Sequence, residues 1–441
     1  MEYRKIGKSG LLTSVIGLGT NRFGSPKVTY KEVERILLGA IDQGVNLIDT
    51  ADYYQKGLSE EYIGRALQTH RRKVILASKF FYEVGEGPND RGASRYHLMN
   101  SLEQSLKRLC TDHIDLYYIH YWDNHTPIEE TLRALDDLVR AGKVNYIGCS
   151  SFASWQLARA NLLAETRGWS PFIVIQSHYH LFERKVEREV LPYCREFGVG
   201  FIPYYPLAGG FLTGKYRRDT PVPQGSRGET NSYVRQYMRE PFFEKLENLE
   251  SWARQRDHQL TDAALAWLLA QAGVCAVIPG ASTWEQFQAS LVSADWNLTK
   301  QELEEINLIL LGVPEINHDL GSRLGIKPGT RGALINHPED YPDLLGELQG
   351  DSLLIKSLSG SLNFIQLFVK TEIELNGLLP VTCQILQPGG LLWITYPINI
   401  SSNDSILDEH KIQEMCLRQG FAVTNHVAID DSWTAIGFIK Q

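Results

Sequence analysis

The sequence predicts an α/β protein: a closed (β/α)₈ barrel of the TIM type followed by a second, smaller α/β domain. Three observations predict it. Eight short apolar runs recur through the first three hundred residues, amphipathic stretches of helical period separate them, and a polar break is followed by a fresh round of the same alternation. A chain of 441 residues also exceeds the size at which one core stops growing. The reading is a barrel over residues 1–312, a linker over 313–322 and an α/β domain over 323–441.

The apolar runs are Val15–Gly19, Asn46–Asp49, Val74–Lys79, Ile114–His120, Val144–Cys149, Phe172–Gln176, Gly200–Tyr204 and Cys275–Pro279. Each has the length and continuity of a strand buried on both faces. Helical stretches include Tyr30–Gln43, which puts Val33, Ile36, Leu37, Ala40 and Ile41 on one face. Arg95–Leu109, Ile128–Ala141 and Leu260–Gln271 follow the same period. Eight strands with helices between them fit a closed barrel, whereas an open doubly wound sheet would normally stop at five or six. Arg4 to Thr13 reads as a hairpin ahead of the barrel.

The break is LGVPEINHDLGS, residues 311–322. Beyond it Ala333–Asn336, Phe364–Val369 and Leu391–Tyr396 read as strands, Thr371–Leu386 as a helix, and Phe421–Ala428 with Thr434–Ile439 as a closing hairpin. From Gly321 onward there are 8 Lys or Arg against 13 Asp or Glu, a net charge of −5.

Composition excludes several classes of function. A content of 43% hydrophobic and 22% charged residues is that of a globular chain and argues against disorder. The net charge of −8 argues against a nucleic-acid partner. No run of 18 uncharged apolar residues occurs, so no membrane span is expected, and the N-terminus lacks a secretory core. Six cysteines lie scattered without a CxxC pair, which suits buried thiols in a reducing cytoplasm. His178 and His180 alternate on one strand face without a third ligand nearby, so a structural role is favoured and no metal site is expected. GGFLTGKY resembles a phosphate loop but ends in Tyr216 where Ser or Thr would hold magnesium.

Chemistry in such a barrel belongs at the C-terminal strand ends. There the sequence places Asp49 with Tyr54 in its loop, Lys79, and His120. A lysine closing an apolar strand needs a partner, and Asp49 is the available one.

The segments DTADYYQKGLSEEYIGRAL, SLKRLCTDHIDLYYIH and LVRAGKVNYIGCSS resemble signature segments of the aldo-keto reductase superfamily. The resemblance runs from about Tyr3 to about Leu310. It implies a reductase that passes a hydride between NADP(H) or NAD(H) and a small carbonyl or alcohol substrate. It also implies a catalytic tetrad of Asp49, Tyr54, Lys79 and His120. Tyr54 would give a proton to the carbonyl oxygen, Lys79 would draw the phenol's pKa down, Asp49 would hold Lys79, and His120 would bind the oxygen. An alternative implied by the potassium-channel β subunits in the superfamily is a cofactor-binding redox sensor.

The same resemblance puts Tyr204 against the nicotinamide ring and Ser150 and Gln176 at its carboxamide, with Ser151 also at the cofactor. Gly19, Thr20, Tyr205, Pro206, Leu207, Gly209 and Lys215 would border the rest of the dinucleotide. Pro279, Gly280, Ser282 and Gln286 would form the adenosine-phosphate loop. Two departures stand out: Ser151 replaces the usual Asn, and the Arg and Glu-Asn pair usual after the eighth strand are missing. No Lys or Arg occurs between Arg256 and Lys300, which predicts a weak preference for the phosphorylated cofactor.

The tail, through CQILQPGGLLWITYP, resembles the second half of a class I methyltransferase fold. Its first strand is followed by Asn336, His337 and Pro338 rather than glycines, so a degenerate domain serving a homo-oligomer or a protein partner is expected, with methyl transfer a distant second.

Overall fold

The computed structural model describes residues 1–311, 320–339, 341–345, 350–398, 407–430 and 432–440. Two compact units emerge, Met1–Pro314 and Glu315–Gln441. In the first, hairpin β1 (Tyr3–Lys5) and β2 (Leu12–Ser14) precedes a parallel sheet of seven strands paired in chain order. These are β3 (Leu18–Gly19), β4 (Leu47–Asp49), β5 (Ile75–Phe80), β6 (Ile114–Ile119), β7 (Val144–Ser150), β8 (Phe172–His178) and β9 (Gly200–Tyr204). Residues 274–280 supply the eighth stave through isolated bridges, Phe201 to Val274 on one side and Ile16 to Val277 and Gly19 to Gly280 on the other. The ring closes into the expected (β/α)₈ barrel.

The closing seam is sparse for a steric reason. A Cβ added at Gly19 would stand 2.8 Å from the Ile278 carbonyl oxygen, so the two backbones can approach only because this position has no side chain. Gly17 N donates to Val277 O at 2.8 Å and Gly19 N to Pro279 O at 3.1 Å. Inside, Leu47, Ile75, Ala77, Leu116, Tyr118, Val174 and Ile202 interdigitate, and Ile6 of the hairpin joins them.

The helices around this ring are α1 (Tyr30–Asp42), α2 (Leu58–Leu67), α3 (Arg95–Leu109), α4 (Ile128–Arg140), α5 (Ser154–Arg167) and α6 (Val190–Phe197). After β9 a long excursion carries α7 (Ser232–Arg235) and α8 (Phe242–Arg254) before α9 (Leu260–Leu269), and α10 (Trp284–Leu291) and α11 (Lys300–Leu311) follow the eighth stave. Val33, Ile36, Leu37, Ala40 and Ile41 of α1 are buried together, as their spacing predicts.

The second unit begins with α12 (Leu320–Arg323) and holds α13 (Tyr341–Leu344), α14 (Glu372–Ile385) and α15 (Glu409–Arg418). Its sheet comprises β10 (Arg331–Ile335), β11 (Leu353–Ile355), β12 (Leu362–Phe368), β13 (Leu386–Pro397), β14 (Phe421–Ala428) and β15 (Trp433–Lys440). Their order is β11-β10-β12-β13-β15-β14, with only β15 and its hairpin partner breaking the parallel run. The expected strands, helix and hairpin are all present; β11 and α15 are additions. The expected linker is corrected at its C-terminal end, because Leu320 and Leu324 pack in this unit's core and the Trp393 indole donates to Leu324 O. The remainder of that linker lies outside the described residues.

Candidate active site

Asp49 ends β4 and Lys79 lies next to the end of β5, so parallel pairing in register brings their side chains together at one mouth. Both are buried, at 2% and 1% exposure, too deep for either charge to survive alone. Lys79 Nζ donates to Asp49 Oδ1 at 2.5 Å, to Thr50 O at 2.8 Å and to the Tyr54 hydroxyl at 3.3 Å. All three ammonium protons are therefore spent. The second Asp49 oxygen accepts from Gln176 Nε2 at 2.5 Å.

Tyr54 rides on a turn in which Gln55 (φ 51°) and Lys56 (φ 58°) take left-handed backbone before Gly57 (φ 90°) opens α2. That turn is braced from behind. Ser78 Oγ and Arg108 Nε donate to the two oxygens of buried Glu60 at 2.5 and 2.7 Å. The Tyr54 ring is half-buried, and its hydroxyl points inward to Lys79. Burial, and then the Asp49 charge, push the phenol well above the ordinary value of 10. This corrects the expectation that Lys79 would lower it: in the free site the proton stays on Tyr54. His120 follows β6, and burial together with the Lys79 charge holds its pKa well below 6.5. It is a neutral imidazole at pH 7, and its buried Nδ1 has no partner among the described residues.

Of the residues expected at the cofactor, Ser150 and Tyr204 end β7 and β9, and Gln176 lies two residues before the end of β8 between them. Gln176 spends its amide N–H on Asp49, which leaves its carbonyl oxygen to accept. Ser151 sits at φ 57°, a left-handed position that Asn tolerates better than Ser, and its Oγ lies 3.2 Å from the Tyr204 hydroxyl. Thr20 turns its hydroxyl inward to Asp49 O at 2.8 Å, so its side chain anchors a strand end. Tyr205, Pro206, Leu207, Gly209 and Lys215 lie on the loop after β9. Its backbone is left-handed at Tyr205, Ala208, Gly209, Gly210 and Gly214, and a Cβ on Gly209 would meet Val234 at 2.7 Å. Pro279 and Gly280 end the eighth stave. Ser282 N donates to Gln286 Oε1 at 3.0 Å, and Thr283 caps α10.

Sequence reasoning reads Arg217–Arg239, in the excursion after β9, as a pocket-shaping loop but names no site residue in it. Asn21, Arg22, Lys27, Tyr205, Ser226 and Arg227 line a cleft of about 430 Å³. Arg227 donates to Asn21 Oδ1 at 3.2 Å, lies 5.8 Å from the Tyr205 ring and makes no ion pair among the described residues. Buried Ser226 Oγ is unpartnered there as well. The available signal was an Arg within a loop expected to border a dinucleotide's phosphates. His178 and His180 converge on the hydroxyl of Tyr233 in α7, at 2.7 Å from His180 Nε2. Phe182 N donates to His180 Nδ1, so His180 Nε2 carries the proton towards Tyr233, which in turn donates to His178 Nε2. The His178 ring lies parallel to that of Tyr204, 5.4 Å away.

These histidines make a pH prediction. Burial lowers the pKa of His120, His178 and His180 in the folded chain, so the unfolded chain binds more protons as pH falls through about 6.5. Stability is present above that pH and lost below it. Asp52, raised by burial, acts in the opposite sense, so the measurement is a difference. Between about pH 7.5 and 5.5, the melting temperature of His180→Asn should fall less than that of the natural chain. Equal falls would show that His180 is not buried neutral.

Comparison with known proteins agrees with this geometry. The profile of the aldo/keto reductase family matches residues 15–310. The uncharacterized oxidoreductase YrpG of Bacillus subtilis is 38% identical over 323 residues, covering 71% of this chain and 97% of the relative. A probable voltage-gated potassium channel subunit beta of Arabidopsis thaliana is 34% identical over 324 residues, 71% of this chain and 98% of its own. The versiconal hemiacetal acetate reductase of Aspergillus parasiticus is 31% identical over 329 residues, 69% and 95%. The expected methyltransferase resemblance of the tail finds no support in these matches. With a family profile spanning the whole barrel and relatives covered almost end to end, this chain belongs to the aldo/keto reductase family.

Proposed function

We propose that the barrel is an NAD(P)H-dependent reductase of aldehydes or ketones whose catalytic residues are Asp49, Tyr54, Lys79 and His120. The observation that carries this reading is the chain of contacts from Asp49 through Lys79 to the Tyr54 hydroxyl. The site suits a dinucleotide: Tyr204 offers a half-exposed ring, Gln176 its carbonyl oxygen, the loop after β9 a glycine cradle and Arg227 a cation that makes no ion pair among the described residues. A reduced nicotinamide supplies the hydride when bound. Tyr54 and neutral His120 donate hydrogen bonds to the substrate oxygen, and Tyr54 releases its proton as negative charge develops there. Lys79 then faces a phenolate at hydrogen-bond distance, and Asp49 keeps the ammonium charged and aimed.

The loop after the eighth stave holds no basic residue. The nearby Arg35 is held by Glu285 at 2.6 Å and by Glu32 at 3.7 Å, while Glu32 also accepts from Trp284 N. A 2′-phosphate would meet carboxylates as well as a cation, so NADH should be used nearly as well as NADPH or better. Tryptophan-fluorescence titration with both cofactors, on the natural chain and on Tyr54→Phe, tests both points. Tyr54→Phe should bind cofactor as before and lose roughly 10²–10⁴-fold in turnover. A hundredfold tighter NADPH, or a Tyr54→Phe rate above about a third of normal, would contradict the reading.

A potassium-channel subunit among the relatives favours a second reading, a cofactor-binding redox sensor, which predicts cofactor binding without turnover. We read the second unit as a surface for another copy of the chain or for a protein partner. A chain ending at Leu311 should then reduce aldehydes at the natural rate and differ only in its assembly. Loss of turnover on truncation would place the second unit in the catalytic machinery.

A further inference from the structure

The excursion after β9 is fastened to the barrel on both sides of the strand it leaves. On one side it meets the loop after β3, where Arg227 donates to Asn21 Oδ1 at 3.2 Å and Lys27 Nζ donates to Gly225 O at 2.8 Å. On the other side it meets the end of β8 through Tyr233, whose hydroxyl lies between His178 and His180. Around the ring the staves run β8, β9, the eighth, β3, so the excursion spans the ends of β9 and of the eighth stave. Those are the ends expected to carry the dinucleotide. The clasp on the β8 side also steadies its neighbours. The Tyr233 ring lies 5.2 Å from that of Tyr205 and nearly parallel to it, and His178 lies parallel to Tyr204. Val234, the next residue, fills the space that a Cβ on Gly209 would need.

This clasp has a direction. Phe182 N donates to His180 Nδ1, His180 Nε2 donates to Tyr233, and Tyr233 donates to His178 Nε2. The chain closes only while His178 is a neutral acceptor. A proton on its Nε2 exchanges the acceptor that faces Tyr233 for another donor, and the Tyr233 hydroxyl loses the partner for its own proton. Tyr237, whose hydroxyl lies 3.4 Å from His180 Nε2, already shares that N–H. Of the two histidines His180 is fully buried and His178 only partly, so His178 takes a proton first as the pH falls. Of the charges that face it, Glu183 favours the imidazolium and Lys185 opposes it. The other titratable groups around it are His180 and the hydroxyls of Tyr204, Tyr205, Tyr233 and Tyr237. Burial outweighs Glu183 and holds His178 below the ordinary 6.5, so the clasp is closed at pH 7 and opens on the acid side.

Resting on the reading of the barrel as a dinucleotide-dependent reductase, we propose that His178 and Tyr233 form an acid-operated clasp on the excursion after β9, and that its opening speeds departure of the dinucleotide. The test follows the dissociation of NADPH and of NADH from the full chain by recovery of tryptophan fluorescence. Between about pH 7.5 and 5.5 the rate should rise about tenfold, the worth of one hydrogen bond. His178→Gln keeps an acceptor near the place of Nε2 but cannot take up a proton, so its rate should stay slow at both pH values. Tyr233→Phe should be fast at both. A natural chain whose rate does not change, or a His178→Gln rate that rises in the same way, would overturn the proposal and leave the reductase reading intact. Failure to bind either dinucleotide would sink both. A second readout needs no cofactor: amide hydrogen exchange over residues 231–238 of the free chain, scaled to an unstructured peptide at the same pH. Protection there should fall about tenfold on acidification in the natural chain and hold in His178→Gln. Protection that is unchanged in the natural chain would count against the clasp.

Discussion

The buried pair of Lys79 and Asp49 is the constraint around which the barrel's mouth is arranged. Neither charge can be solvated at that depth, so each must find its partner and its remaining hydrogen bonds inside the fold. Lys79 uses the Thr50 carbonyl and the Tyr54 hydroxyl, while Asp49 uses Gln176. The pair therefore ties β4, β5, β8 and the Tyr54 turn to one point. It also places the phenol, the imidazole of His120 and the side chain of Gln176 on a common floor.

What surrounds that floor is supplied by loops, and each loop has its own anchor. Glu60 holds the Tyr54 turn through Ser78 and Arg108. Asp123 ties the loop after β5 to the loop after β6, accepting from Ala93 N and from Thr126 at 2.8 Å each. Tyr233 fastens the excursion after β9 to His178 and His180, beside the ring of Tyr204. A rigid parallel barrel with separately tethered loops is how such folds vary their substrates while keeping one set of reacting groups.

The legible part of this architecture follows from burial on both faces. Strands such as Ile75–Phe80 and Gly200–Tyr204 are buried almost throughout, and their ends fix where polar residues must gather. Hence Asp49, Lys79 and His120 could be read directly. β11 was missed because Leu353–Ile355 is three residues long and only half-buried. α15 was missed because only Ile412 and Cys416 of its ten residues are buried, too few to mark a helical face. Tyr53, Tyr82 and Arg227 lie outside α-helices and strands, and Tyr233 on the four-residue α7, too short to show periodicity, so only the fold could show what each of them meets. The direction of the Tyr54 pKa was misjudged for a related reason. Sequence names the charges nearby but cannot weigh burial against them.

The most direct test of the ion pair as organiser is a cycle of chemical-denaturation free energies for Asp49→Ala, Lys79→Met and the double variant. Asp49→Ala should cost about 3–5 kcal/mol, because it leaves an ammonium buried without its partner. The double variant should be more stable than Asp49→Ala alone, since the orphaned charge is gone. Losses that simply add across the two sites would show that the charges do not depend on one another, and the account of the mouth built on them would fail.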